Sequence, residues 1–537
     1  MSSIDHFPGQ EFQAIILAGG QGNRMEALTH NFPKALLHVA NRPLLSYQLD
    51  MLHSAGIDDI TILTKPKMRE EVEKFVDKYK GEVNRAVRVV AAPDDAMGSA
   101  DSLRACREEL NITKDFFVVS SDVITTIPLQ SMANAHRHRQ ATMTMMMQVP
   151  PEAVAAAAAA AKGEGEAPAA DAAASSGSGS GAADEFDDID TQFVALDEAT
   201  GRLAYVRARS DLETGIKLPK RVLASFPSLG IYSQLRDAHL HLFSPAVFEF
   251  LEEQSHISSL QGELAPALVA AQFVPSAQDW LRKSTSHTGQ RTDAPGFVDP
   301  RDDAPLCVGG PASPLPTDGL GIIGAGADDD DDDDARLAAG AGPEAVEARD
   351  WVGAQSHSRP AADASLGPLR CYAFVAPGTT LLARCNTVAS LHSLSLQLVA
   401  RARDGMADPW TAVTEGDFAA AAKAATPTAG LTNCLVGTGV QLAPSTLRNS
   451  FIGAHCRIGK GCRIDNCVIM DHVSVGDKVI LSNCVIAPQA KIHDGASLKQ
   501  CTVALKYEVV AAKYESMELR PDEEGAGSGS ASDEEDD

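Results

Sequence analysis

The chain has 537 residues, 44% of them hydrophobic but only 5% aromatic, with 46 Lys+Arg against 72 Asp+Glu for a net charge of -26. At roughly 150 residues per domain this length predicts three to four units and excludes a miniprotein, and the acidic balance argues against holding nucleic acid by neutralising phosphates. Much of the charge is local: Asp328 to Asp334 is worth -7, and Lys513 to Asp537 carries ten acidic and two basic residues.

The first residues, MSSIDHFPGQEF, lack a basic n-region and an apolar h-region. No apolar run reaches the roughly eighteen residues that span a bilayer, so a cytosolic, cytoplasmic protein is expected. Its ten cysteines include no CxxC pair and fit a reducing compartment.

From Glu11 to about Trp280 short apolar runs alternate with longer amphipathic stretches, which predicts an α/β domain with a Rossmann-like, doubly wound sheet. Strands are expected at Ala14 to Ala18, Ile60 to Thr64, Val87 to Ala91 and Phe116 to Ser120, and helices at Leu44 to Ala55 and Met68 to Lys80. Ser121 and Asp122 follow the Phe116 strand at its carboxyl end, where open α/β sheets place ligand-handling residues. Met143 to Val149 alternates like a strand, and residues 152–184 then form a polyalanine-rich, low-complexity insert, expected to be disordered. Phe193 to Leu196 and Leu203 to Val206 read as a hairpin that resumes the fold. The first domain thus spans 11–282, an acidic Pro/Gly/Ala-rich linker 283–366, a second domain 367–508 and an acidic tail 509–537.

In the second domain Asn433-Cys-Leu-Val, Asn449-Ser-Phe-Ile, Asn466-Cys-Val-Ile, Asn483-Cys-Val-Ile and Gln500-Cys-Thr-Val recur at spacings of 16, 17, 17 and 17. Aliphatics repeat near every sixth residue, as in Ile452, Ile458 and Ile464, which predicts a three-faced parallel β-helix of hexapeptide repeats. Stacked coils would align the Asn residues into side-chain ladders and bury Cys434, Cys467, Cys484 and Cys501 as core residues instead of gathering them around a metal. His455, His472 and His493 read as surface corners that do not share one register, which speaks against an acyl-transfer site.

After the first strand comes Leu17-Ala18-Gly19-Gly20-Gln21-Gly22-Asn23-Arg24-Met25, followed by Pro33-Lys34. Glycines let successive backbone N–H groups nest around phosphate, and Arg24 and Lys34 supply positive charge to a triphosphate. The segment is neither a GxGxxG fingerprint nor a P-loop, since it lacks the third glycine and a Gly-Lys-Ser/Thr. Its GGxGxR spacing, with Pro-Lys about ten residues on, resembles the signature of sugar-nucleotide pyrophosphorylases, which also carry C-terminal hexapeptide β-helices. That resemblance implies a left-handed helix and, in an active enzyme, a Gly-Asp pair binding Mg²⁺, a Glu-Lys-Pro segment, an Asn-Ala-Gly sugar-holding segment and a second acidic ligand.

Several of those parts diverge here. Asp122 survives in Ser120-Ser121-Asp122, but Tyr205-Val206-Arg207-Ala208-Arg209 contains no Glu-Lys-Pro. Asp237-Ala238-His239-Leu240-His241-Leu242-Phe243 stands where the sugar-holding segment is expected, and Glu263 is the candidate second acid. In-line phosphoryl transfer relies on metal ions and fixed donors, so a site lacking them loses positioning and charge compensation together.

The divergent segments, Asp94 to Arg104, Asp237 to Leu240 and Ser258 to Leu264, with Arg370-Cys371-Tyr372, resemble the gamma subunits of eukaryotic translation initiation factor 2B over about residues 11–280 and 369–508. This implies a non-catalytic regulatory subunit of the guanine-nucleotide exchange factor for initiation factor 2. It would pair with an epsilon subunit and join alpha, beta and delta subunits in a larger complex, with no DNA or membrane partner. About thirty-four residues follow Val503, too few for a helical exchange domain of the kind epsilon carries. The expected site is neither catalytic nor metal-binding: Gly19, Gly20, Gly22, Arg24, Lys34 and Asp122 form a residual phosphate loop, fuller than a degenerate subunit calls for, with GTP or a sugar nucleotide as its candidate ligand. The alternative is an active sugar-1-phosphate nucleotidyltransferase.

Overall fold

The computed structural model describes residues 11–149, 192–274, 369–403 and 430–520, apart from positions 21, 30–31, 41, 84–86, 97, 213–215, 227 and 377–379. The expected insert at 152–184 and linker at 283–366 lie outside the described residues, as does the expected tail beyond Arg520. The chain divides into two compact units, residues 1–19 with 51–383 and residues 20–50 with 384–537.

Strands in chain order are β1 (Phe12–Leu17), β2 (His38–Val39), β3 (Arg42–Pro43), β4 (Ile60–Thr64), β5 (Val87–Ala91), β6 (Asp115–Ser120) and β7 (Val123–Thr125). They continue with β8 (Met143–Gln148), β9 (Gln192–Asp197), β10 (Leu203–Ala208), β11 (Leu229–Tyr232), β12 (Arg236–Phe243), β13 (Cys371–Val375) and β14 (Leu382–Arg384). The first unit is built on a seven-stranded sheet in the order β13-β8-β12-β6-β1-β4-β5. β1 runs parallel to β4 and β6, while β12 is antiparallel to both β6 and β8, so the sheet is mixed. Its central strands are mostly apolar, as fits strands joined by helices such as Arg69–Val83 and Leu129–Arg139; Ile15, Ile16, Phe117 and Val119 are fully buried. The hairpin expected near 193–206 is β9–β10, which β11 extends to a three-stranded sheet.

The second domain does not begin at 367. Cys371–Val375 is an edge strand of the first unit's sheet, parallel to β8 in the register Cys371↔Met143 to Val375↔Met147. Arg202, fully buried, fastens that return: its guanidinium donates to Gln272 Oε1 at 2.9 Å and to the Leu369 carbonyl at 2.8 Å, and Gln272 Oε1 also accepts from Cys371 N at 3.0 Å. Sequence reading placed the Arg-Cys-Tyr segment with the repeats because a single strand has no periodicity to tie it to a distant sheet. The expected end at 508 is likewise early, since strands continue to Leu519.

Residues 430–520 wind through three parallel sheets in turn, each coil adding one strand to a sheet, as in Thr446–Arg448, Phe451–Ile452 and Arg457–Ile458. The architecture is consistent with a β-helix. Registers such as Leu447↔Ile464, Ile464↔Leu481 and Leu481↔Leu498 stack the aliphatics into a continuous core. Cys467, Cys484 and Cys501 are buried in that core, and burial raises the Cys501 thiol pKa. Cys434, in the first coil, is half-buried.

The corners have a backbone reason that composition does not reveal. Asn433, Asn449, Asn466, Asn483, Gln500 and Ser516 all adopt positive φ, between 43° and 54°. Asn tolerates the left-handed region better than most side-chain-bearing residues, which explains its recurrence there. The side-chain ladder is seen between Asn433 Nδ2 and Asn449 Oδ1 at 3.0 Å. A second corner corrects the expectation for the histidines: His455 and His472 do share a register, with φ of 57° and 59° and rings stacked at 5.1 Å, and Gln489 and Lys506 continue the row. His493 lies outside it. At the turns, Asp471 and Asp477 each accept a backbone N–H from the preceding coil, from Ala454 and Lys460 at 2.7 Å.

One face of the coils is covered. The helix Val388–Arg403 lies against the strands holding Phe451 and Val468, which are buried although they point away from the coil interior. His392 Nε2 is 2.6 Å from the Asn466 carbonyl. The segment 20–50 joins the same unit through His38 Nδ1 and Asp471 Oδ2 at 2.7 Å and through Arg520 and Glu26 at 3.0 Å.

Candidate functional site

The expected site residues fall in both units. Gly19 leaves β1, whose end is held by Ala18 N to Leu63 O at 2.7 Å and Ser121 N to Leu17 O at 3.0 Å. Asp122, 3% exposed, follows the neighbouring strand β6, so Gly19 and Asp122 lie along the same carboxyl edge of the sheet. Gly20, Gly22, Arg24 and Lys34 belong to the second unit.

Within that second unit the glycines are used differently. A Cβ at Gly20 would meet nothing within 4 Å, so the backbone there is open to approach. Gly22 has φ +69°, and Thr29 fills the space a side chain would need. The Thr29 hydroxyl donates to the Gly22 and Met25 carbonyls at 3.0 Å, which closes the turn. Arg24 is exposed on the short 3-10 turn Asn23–Met25, and Lys34 opens a second such turn, Lys34–Leu36. Sequence reading missed Lys65, whose side chain lies beside Gly19, with Cγ 3.6 Å from the position of a Cβ there. Its signal was present: it is the first residue after β4, at the sheet's carboxyl edge.

The segment 237–243 lies in the sheet beside Asp122's strand, with Leu240 opposite Val119 of β6. Against β8 it is bulged: Asp237 pairs with Met147 and His241 with Met145, so β12 spends four residues where β8 spends two. His239 carries the distortion at φ 55°. Both oxygens of Asp237 are engaged, Oδ1 by His239 N at 2.8 Å and Oδ2 by His241 Nε2 at 3.1 Å. Burial alone would raise the Asp237 pKa, but the charge and hydrogen bond of His241, with the His239 contacts, outweigh it and bring it down to about 2. Asp237 is therefore a carboxylate committed to a local pair that stabilises the bulge.

The other two divergent segments pack on each other. Ala100 N donates to Ser258 O at 2.8 Å and Leu260 N to Ser99 Oγ at 2.9 Å, and Gly98 has no room for a Cβ against the Ser258 carbonyl. Arg104 donates to the carbonyls of Leu251, Gln254 and Ile257 at 2.7, 3.1 and 2.6 Å. Glu263 Oε2 accepts from Ser258 N at 2.5 Å and from Ser259 N at 3.1 Å, and those backbone bonds lower its pKa. Its carboxylate caps the short π-helix Leu260–Leu264. Asp237 thus has both oxygens on local N–H donors, and Glu263 has Oε2 on the Ser258 and Ser259 segment. Among the described residues no three His, Cys, Asp or Glu side chains are placed to hold a metal ion, and no helix is long and apolar enough to cross a membrane.

A mixed sheet with a glycine turn after its first strand defines the class: residues 13–157 match the nucleotidyl transferase family model, and residues 431–514 match a model described as the GMPPB C-terminal domain. The mixed sheet fits the nucleotidyltransferase-like fold that this match over residues 13–157 indicates. More particularly, the chain is similar to translation initiation factor eIF2B subunit gamma of Schizosaccharomyces pombe, at 26% identity over half of this chain and 53% of the relative, and to that of Caenorhabditis elegans, at 28% over half of this chain and 60% of the relative. It is also similar to mannose-1-phosphate guanylyltransferase 1 of Arabidopsis thaliana, at 32% over 23% of this chain and 34% of the relative. The chain spans somewhat more than half the length of the gamma relatives it matches. The resemblance to gamma subunits drawn from the motifs is borne out.

Proposed function

We propose that the chain is a non-catalytic regulatory subunit of the initiation factor 2B exchange complex, which promotes GDP-to-GTP exchange on initiation factor 2 in the cytosol, and that it pairs there with an epsilon subunit. The observation that carries this reading is the state of Asp237: the acid in the segment where a transferase would grip its sugar is buried and saturated by His239 and His241. A carboxylate whose two oxygens are already held by local donors is poorly placed to take up a metal ion or a sugar hydroxyl. Support also comes from the relatives, since the gamma subunits match over half the chain and the guanylyltransferase over 23% of it. In this reading the coils form a left-handed parallel β-helix that serves as docking surface, and the exchange chemistry belongs to epsilon.

The retained turn favours a second reading, residual nucleotide binding or transfer. Gly19, Gly20, Gly22, Arg24, Lys34 and Asp122 would then cradle the phosphates of GTP or of a sugar nucleotide. Two experiments separate the readings. Tagged protein recovered from cell extract is expected to bring a stoichiometric epsilon-type partner, and recovery as a clean monomer counts against the regulatory role. Purified chain incubated with GTP or ATP, Mg²⁺ and sugar 1-phosphates is expected to release no pyrophosphate; steady release that vanishes in Asp122→Ala establishes the transferase instead.

A further inference from the structure

Residues 430–520 carry ten Lys/Arg against seven Asp/Glu, a net +3 inside a chain of -26. The excess is concentrated on one long edge of the coil stack. Arg457 projects from one sheet, Arg463 from the next, and Lys460 and Lys478 occupy the turns between them on adjacent coils; all four are exposed. Register brings Arg457 beside Ser474 and Arg463 beside Ile480, an apolar side chain left 45% exposed. Among the described residues none of the four cations is ion-paired. By contrast Lys491, on the coil beyond, is held by Glu508 at 2.5 Å. The acids at this edge, Asp477 and Asp494, each have one oxygen bound to a backbone N–H at 2.7 Å, of Lys460 and of Asp477.

Unpaired cations around an exposed aliphatic fit an acidic segment with little bulk, and the sequence supplies one on a short tether. Residues 521–537 follow the last coil and contain eight acids and no base, five of them in Asp533 to Asp537 beyond a Gly/Ser-rich stretch. The coils bearing the cations lie two to four turns from the last coil, roughly 10–19 Å at the usual ~4.8 Å strand spacing. Thirteen extended residues span up to ~43 Å, so the acids reach the edge with slack. A tether of this length also holds them at an effective concentration of about millimolar, enough for a weak charge contact to be populated.

We propose that Asp533 to Asp537 dock on the edge formed by Arg457, Lys460, Arg463 and Lys478, making the acidic segment an internal competitor for any acidic partner of that edge. The contact is electrostatic and solvent-exposed, so it weakens as salt shortens the screening length to ~3 Å near 1 M.

Zero-length carbodiimide coupling of the full chain at low salt tests this. Expected are links from Asp533–Asp537 carboxylates to Lys460 and Lys478, several-fold above those to Lys499 and Lys513, lost in 1 M NaCl and reduced at least fivefold in Arg457→Glu/Arg463→Glu. Links spread evenly over the lysines overturn the proposal. So do links found only between isotopically heavy and light copies, which assign the edge to a second molecule. A second measurement leaves the coil sequence untouched: acetylation of Lys478 relative to Lys491 should rise several-fold when residues 521–537 are removed, and an acidic peptide such as oligoglutamate should bind the shortened chain more tightly than the full one. Unchanged acetylation, or equal peptide binding, also overturns it.

Discussion

The two units solve the same problem, buried polar backbone, by opposite means. In the coils the solution repeats: residues 16 or 17 apart take the same left-handed turn, and a carboxylate from one coil caps an N–H of the coil before. In the sheet unit individual side chains solve it singly, some by joining residues far apart in sequence, such as Arg202 with Gln272 and Leu369. A repeated device distributes its stability over many similar contacts, so one lesion is local. A unique device concentrates it, so one lesion should be felt across the unit.

That contrast is broken or sharpened most strongly at Arg202. Replacing it by Ala leaves Gln272 Oε1 and the Leu369 carbonyl short of a buried donor and opens a cavity beneath the edge strand Cys371–Val375. Destabilisation of the sheet unit by about 3–5 kcal/mol is expected in denaturant unfolding. Amide exchange should accelerate first along β13 and β8. A loss under 1 kcal/mol means that the return strand is held by its apolar contacts alone.

The Asp237 pair gives a smaller effect with a pH signature. Its folded pKa of about 2 lies below the ordinary aspartate value of 3.8, so the pair contributes fully above pH ~4 and loses its contribution as pH falls towards 2. The shift corresponds to about 2 kcal/mol. Asp237→Asn should be less stable than the parent at pH 7 by about that amount and should show a flatter acid limb between pH 4 and 2. Parallel stability–pH curves for the two proteins would remove the assignment.

The same contrast explains what could be read from the residues alone. The coils were legible because Ile452, Ile458 and Ile464 and their successors mark faces by period, and strands such as β4 and β5 fell at their expected bounds because short apolar runs are bounded by polar turns. The Arg370-Cys371-Tyr372 return was not, since its partners are Thr142 and Met143, more than two hundred residues earlier. At the site, the residue types were legible and their commitments were not. Nothing in the string Asp-Ala-His-Leu-His states that a bulge turns His239 to positive φ and folds both imidazole-bearing residues onto one carboxylate. The histidine row was missed for a simpler reason: His493 obscured the period of 17 that His455 and His472 share.

Within the coils, Gly453 is the sharper of two tests. A Cβ there would sit 2.5 Å from Asp471 Oδ1 and 2.6 Å from Asp471 N, so Gly453→Ala must displace the carboxylate that caps Ala454 and pairs with His38. A cost of about 1–3 kcal/mol is expected for the coil unit in thermal unfolding. Because the backbone N of Asp471 is also in the way, Asp471→Gly should relieve only part of it.

The smallest effect, and the most diagnostic of repetition, belongs to the Asn corner. Asn483 is exposed with φ 53°, so its identity is set by the turn and not by packing. Asn483→Ala should cost about 1 kcal/mol, because Ala meets the left-handed region with a Cβ and without a side-chain amide. Asn483→Gly should be close to neutral, since Gly enters that region freely but gives up more chain entropy on folding. The same pair of substitutions at Asn466, one coil away and with φ 51°, should give the same two values within about 0.5 kcal/mol, as equivalent corners repeat one device. Unequal costs at the two corners would mean that the coils are individually specialised, and that the apparent repetition hides contacts as particular as those of Arg202.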